Sequence, residues 1–160
     1  MATTNDADAN TRPQSRKLID SMLTERQQML VLLWELSKLD FGTVDQAILD
    51  LLEDFKEILV DYIAAGHFGL YQRIAEGKER RAAVLNTARD IYPRIEQSTD
   101  VAVEFSERYD GAEDEIIKNK LTTDLSRLAE EVTTRIDLED QLITAMLGRD
   151  YHIPDVQPQA

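Results

Sequence analysis

Two histidines, a pair of adjacent carboxylates and a row of acids in helical register are the residues of this sequence with chemical potential. The histidines are His67 and His152. Ala64 stands three residues before His67 and Arg149 three before His152, so neither completes the Glu-x-x-His pair that binds carboxylate-bridged metals in helical bundles. No His-Glu-x-x-His, calcium-loop or glycine-rich phosphate-loop pattern occurs, and no Gly-x-Ser-x-Gly elbow. Glu139 and Asp140 are neighbours on a helical segment, which points them to different sides and argues against an acid–base dyad. With 0 cysteines, disulfides, thiolate zinc sites and cysteine nucleophiles are excluded. No enzyme, metal or cofactor is expected.

Besides direct contact with a partner, His67 supports two readings. An exposed histidine on a continuous helix, followed closely by Lys-Gly, marks a phosphotransfer module. Here Leu70-Tyr71 occupies that place and Gly66 precedes the histidine as a helix stop. The other reading is a structural corner at Gly66 and His67, with the ring bridging backbone groups left unpaired where the helix ends. The acids Asp50, Asp54, Glu57 and Asp61 form a stripe along one helix. Like charges at this spacing weaken a helix by a few tenths of a kcal/mol per pair. The stripe is either an ordinary solvated face or a surface for a basic partner.

Four long amphipathic segments must position these residues. From Gln14 to Leu39 one stripe runs through Leu18, Met22, Met29, Leu32, Leu36 and Leu39, and a second through Ile19, Leu23, Leu30 and Leu33. Glu25 and Arg26 interrupt both, either where the helix turns toward solvent or where charge lines a groove. After Phe41-Gly42, Thr43 is positioned to cap a helix with the seam Val44, Ile48, Leu51, Phe55, Ile58, Tyr62 and Ala65. His67 to Ile74 forms a short amphipathic element. The third long helix has Val84, Ala88, Ile91, Ile95, Ala102, Phe105 and Tyr109 on its inner face, and Pro93 is expected to kink it. Asp110-Gly111 closes it. The last helix turns Ile117, Leu121, Leu125, Leu128, Val132, Ile136, Ile143 and Met146 inward and stops at Gly148. The expected fold is all-α: an antiparallel up-down four-helix bundle with a short extra helix. Residues 14–149 form the single domain, and 1–13 and 150–160 are mobile tails, the latter exposing His152.

The 160 residues are 42% apolar, enough for one core, and carry 18 basic and 31 acidic side chains for a net charge of −13. That surface repels phosphate backbones and anionic lipid, so neither direct nucleic-acid binding nor membrane binding is expected, and a basic protein partner fits better. A basic cluster, Lys78, Arg80, Arg81, Arg89 and Arg94, reads as a solvated face. Met1–Asn10 lacks the parts of a signal peptide, and no apolar run reaches the ~20 residues of a membrane span, so a cytoplasmic protein is expected.

The stretch Leu59-Val60-Asp61-Tyr62-Ile63-Ala64-Ala65-Gly66-His67-Phe68, with Tyr71 and Arg73-Ile74, resembles the signature of the Rsd/AlgQ family of bacterial anti-sigma factors. Further landmarks follow in order: Lys17-Leu18-Ile19-Asp20 with Leu23, then Ile91-Tyr92-Pro93-Arg94-Ile95-Glu96, then Arg135 with Leu138-Glu139-Asp140 and Leu142-Ile143. Met22, Ala64 and Ile136 depart from the family's usual Trp, Ser and aromatic residue. The resemblance implies a helical protein that withholds the primary sigma factor from RNA polymerase, chiefly through the sigma domain that reads the upstream promoter element. Such a domain is basic where it meets DNA, which suits the acidic stripe. Asp61 is then the first choice for partner contact, with Phe68 and Tyr71 as apolar anchors and Asp20, Asp50, Asp54 and Glu57 as supporting acids. A monomer or weak dimer is expected. The alternatives are a phosphotransfer module and a helical adaptor for another basic protein.

Overall fold

The computed structural model describes residues 2–148 and 151–154, with side chains from Gln14 onward, and over these the chain is helical without strands. Four long helices, α1 (Ala2–Ser37), α2 (Gln46–Gly66), α4 (Ala82–Arg108) and α5 (Asp114–Leu147), are joined by short connections. Between α2 and α4 lie a π-helical turn, His67–Tyr71, and the short α3, Gln72–Ala75. The backbone of α1 begins upstream of the Gln14 start expected from periodicity. The expected tails otherwise fall on Met1, on side chains 2–13 and on 149–150 and 155–160, outside the described residues; His152 is described and exposed.

α1 packs chiefly on α2 and α4 chiefly on α5, and the two pairs close on each other through α1–α5 and α2–α4 contacts. The inner faces expected for α4 and α5 are all buried. α2 is broader than its seam: Ile48, Phe55 and Tyr62 are buried, but Leu52 and Leu59 join them, while Val44, Leu51, Ile58 and Ala65 are half-buried. Contact with neighbours on two sides widens the apolar stripe of such a helix. In α1 the second stripe is buried throughout, whereas Leu18 and Leu39 of the first are exposed. Phe55 of α2 meets Phe105 of α4 edge to face at 5.8 Å, and Phe105 leans on Tyr109 at 4.8 Å. Each fully buried side chain of this size stabilises the fold by about 1.5–3 kcal/mol.

Helix ends are fixed by specific side chains. Asp45, not Thr43, caps α2: its Oδ1 accepts from the Ile48 amide at 2.9 Å. Glu79, almost fully buried, accepts from the Arg81 amide at 3.0 Å and from Arg81 Nε at 2.9 Å. Arg81 in turn donates from Nη1 to the Met146 carbonyl at 2.8 Å, tying the start of α4 to the end of α5. This gives one member of the basic cluster a structural role, although its side chain remains exposed. Lys56, also buried, donates to the Tyr109 carbonyl at 3.0 Å and satisfies the end of α4. Gly148 ends α5 as expected, with a φ of +90°. Pro93 lies inside α4, where it leaves the Arg89 carbonyl without its helical donor, yet α4 continues to Arg108.

Candidate functional site

A polar network fills the middle of the helix assembly. Glu139 of α5 is 0% exposed. Its Oε1 accepts from the Tyr62 hydroxyl of α2 and from Arg26 Nη2 of α1 at 3.1 Å, and its Oε2 accepts from Arg135 Nε at 3.0 Å. Arg26 Nη1 donates to Asp140 Oδ1 at 2.7 Å. Arg135 reaches α4 through Nη1, donating to Ser98 Oγ at 3.1 Å and Thr99 Oγ1 at 2.8 Å, and its guanidinium lies 5.8 Å from the Tyr62 ring centroid. Two guanidinium groups and two carboxylates balance each other. Balanced charge and shared hydrogen bonds offset the several kcal/mol that burying each ion costs.

This corrects two expectations. Arg26 neither turns to solvent nor lines a groove: it is fully buried, and it interrupts the apolar stripe because carboxylates await it. Glu139 and Asp140, adjacent in the chain, both reach it because a guanidinium presents donors along two edges. Burial opposes the charge on Arg26, but Tyr62, Glu139 and Asp140 outweigh it and raise its pKa. Burial and the neighbouring Glu139 push the Tyr62 hydroxyl far up, so it stays a proton donor. Burial also raises the Asp140 carboxyl, against the pull of Arg26.

Gly66 is not a helix stop. Its φ of −62° and ψ of −43° are helical, and the chain runs on through the π turn into α3. The backbone groups that His67 was expected to bridge therefore do not arise, and one objection to phosphotransfer, a helix broken before the histidine, falls with them. The reason for glycine is space. A Cβ at residue 66 would lie 3.1 Å from Glu139 Oε2 and 3.4 Å from Arg135 Nη2. The extra residue of the π turn, closed by the Gln72 amide on the His67 carbonyl, turns Gly69, Leu70 and Tyr71 inward and leaves His67 and Phe68 outside.

The expected contact residues fall in three places. Asp50, Asp54, Glu57 and Asp61 share the exposed face of α2, as their spacing requires. Glu57 and Asp61 line a shallow groove of about 580 Å³ with Glu53, Lys56, Glu107 and Asp110. Phe68, 52% exposed, and Tyr71, buried, instead line a second groove of about 520 Å³ against Tyr92 and Ile95 of α4, with Arg135 at its base. Asp20 stands apart on α1, where it accepts a hydrogen bond from Tyr151, whose ring also takes the Arg16 guanidinium at 5.2 Å. Burial and the bond to Asp20 push the Tyr151 hydroxyl up to about 12. Sequence reasoning missed Arg26, Arg135 and Tyr92 as site members; the charged break in the α1 stripe was the available signal. Among the described residues no group of three His, Asp or Glu side chains could hold a metal ion, and no helix is long and apolar enough to cross a membrane.

Fold and site together define an all-helical protein whose distinctive features are surface grooves over a buried ion network. The family described as "Regulator of RNA polymerase sigma(70) subunit, Rsd/AlgQ" matches residues 1–147, and the chain belongs to it. It is 32% identical over 139 residues to the "Regulator of sigma D" of Shigella dysenteriae serotype 1, covering 83% of this chain and 85% of that one. It is 33% identical over 135 residues to the protein of that name from Salmonella arizonae, covering 81% of each. The Escherichia coli O139:H28 protein of the same name is 32% identical over 139 residues, again with 83% and 85% covered. No solved structure matches the chain significantly.

Proposed function

We propose that this protein is a cytoplasmic anti-sigma factor that binds the primary sigma factor of RNA polymerase, mainly through its promoter-reading C-terminal domain, and sequesters it without catalysis. Membership of the sigma(70)-regulator family over residues 1–147 carries this reading. The exposed acids of α2 support it, since carboxylates in a row can occupy a surface that otherwise meets phosphates. The helices are then an antiparallel up-down bundle, kinked at Pro93, acting as a monomer or weak dimer without touching nucleic acid. Sequestration is mass action: a Kd of ~1 μM corresponds to about −8.2 kcal/mol.

Titration calorimetry of the purified chain with the isolated promoter-reading domain tests the reading. A 1:1 complex that weakens with added salt is expected, because exposed charge pairs are screened. No complex at tens of micromolar in low salt overturns it. The exposure of His67 on a continuous helical segment keeps phosphotransfer as a second reading. Acid-labile phosphate on the wild type but not on His67→Ala, after incubation with phosphodonors, would establish that instead.

A further inference from the structure

The groove between the π turn and α4 holds chemistry that the acidic face does not use. Phe68 stands half-exposed at its rim, and the Tyr71 and Tyr92 rings meet edge to face in its wall at 5.3 Å. Tyr71 is 6% exposed, and its hydroxyl has no hydrogen-bond partner among the described residues. A buried hydroxyl left unpaired loses its hydration without compensation, and a donor brought by a ligand restores the missing bond. Glu96 and Asp100, one helical turn apart and both exposed, line the same groove. Arg135, its lining guanidinium, is committed through Nε to Glu139 and through Nη1 to Ser98 and Thr99.

Aromatic faces, an open acceptor and a negative edge select a planar cation that carries N–H donors. An anion would meet two carboxylates. A neutral apolar group would leave the Tyr71 hydroxyl unpaired. An ammonium is strongly hydrated and has no flat face to stack, whereas a guanidinium stacks on aromatic rings and donates along its edges. The volume of about 520 Å³ lies within the roughly 300–1,000 Å³ of small-molecule sites, so a long side chain fits.

We infer that this groove anchors an arginine side chain of the protein partner, its guanidinium against Phe68 and Tyr92, donating to the Tyr71 hydroxyl and pairing with Glu96 and Asp100. The inference rests on the proposed reading that the chain acts by binding the primary sigma factor, and it adds a second point of attachment away from Asp61.

The test uses the full chain in two arms. In the first, aromatic NMR follows titration with N-acetyl-arginine methylamide, its lysine counterpart and the neutral citrulline counterpart. Saturable shifts of the Tyr71 and Tyr92 ring signals with arginine, weaker with lysine and absent with citrulline, are expected, and the double variant Glu96→Gln/Asp100→Asn should abolish them. In the second, that double variant should bind the primary sigma factor about tenfold more weakly than the wild type, a change of about 1.4 kcal/mol. Both replaced side chains are exposed, and unchanged circular dichroism confirms the fold. No saturable shift, an equal response to citrulline or lysine, or a sigma-factor affinity within about twofold of wild type overturns the anchor while leaving the anti-sigma reading intact. If the wild type binds no sigma factor, that reading fails, and the small-molecule arm alone decides the anchor.

Discussion

The Tyr62 hydroxyl on α2 donates to Glu139 on α5 across 77 residues of chain, at the centre of a network in which the same carboxylate holds Arg26 and Arg135. Glu139→Gln keeps the shape but removes the charge, leaving two buried guanidinium groups to Asp140 alone. The expected loss is about 3–5 kcal/mol, read as a fall in urea midpoint. Asp140, whose side chain is 27% exposed, gains compensation from water, so Asp140→Asn should lose less. Equal losses would show that the two carboxylates do not differ as their burial requires.

Gly66→Ala sets two effects against each other. Helix propensity favours alanine by about 1 kcal/mol, and the backbone there is already helical. Against this, the new methyl would press on Glu139 Oε2 and Arg135 Nη2, which are held by partners of their own. Displacing them weakens buried charged hydrogen bonds, so the variant should be less stable than wild type in thermal melts. A stabilised variant would mean that the network yields freely.

Acid should weaken the α3–α4 connection. Burial works against the charge of Glu79, but hydrogen bonds from Arg81, with Arg73 nearby, hold its carboxyl below the ordinary value of 4.5. The folded state therefore prefers the ionised form. Its stabilisation is complete above the unfolded value and disappears as pH falls through the folded one. Glu79→Gln should lower stability at neutral pH and flatten the loss between about pH 5 and 3. Parallel curves for variant and wild type would remove Glu79 from this role.

Asp61 is exposed, so Asp61→Ala should leave stability within about 0.5 kcal/mol of wild type. Affinity for the primary sigma factor should fall, and the remaining binding should depend less on salt. Unchanged affinity in calorimetry would remove Asp61 from the interface.

Every residue that apolar periodicity assigned to the inner faces of α4 and α5 is buried, because each turns one dominant face to the core, although Leu142, fully buried on α5, was not among them. α2 was only half legible, since a stripe read as a single seam omits Leu52 and Leu59 on a helix with two packed sides. The ion network was illegible for a different reason. Arg26 and Glu139 are 113 residues apart, and local spacing carries no information about which distant charges meet. Gly66 showed the same limit: glycine punctuates helices often enough that a stop is the natural local reading, while its actual reason lies on α5. Thr43 lost the cap to Asp45 because either residue type serves and only the true start of α2 decides. Asp61, Phe68 and Tyr71 were all named as contacts from one short stretch, yet the π turn parts them onto two grooves.

That turn also constrains how this chain can change length. Its single added residue sets the rotational phase of everything from Tyr71 to α3 relative to α2. If the turn took ordinary helical winding with all of its residues kept, the downstream side chains would rotate by roughly 100°. Leu70 and Tyr71 would then leave the core together, and the wall of the aromatic groove with them. Substitutions along the turn can be absorbed one at a time, but a change of winding is felt by every later position at once. Insertions and deletions should therefore be tolerated in the exposed Glu76–Lys78 connection and rejected within α2 upstream, where they shift that phase.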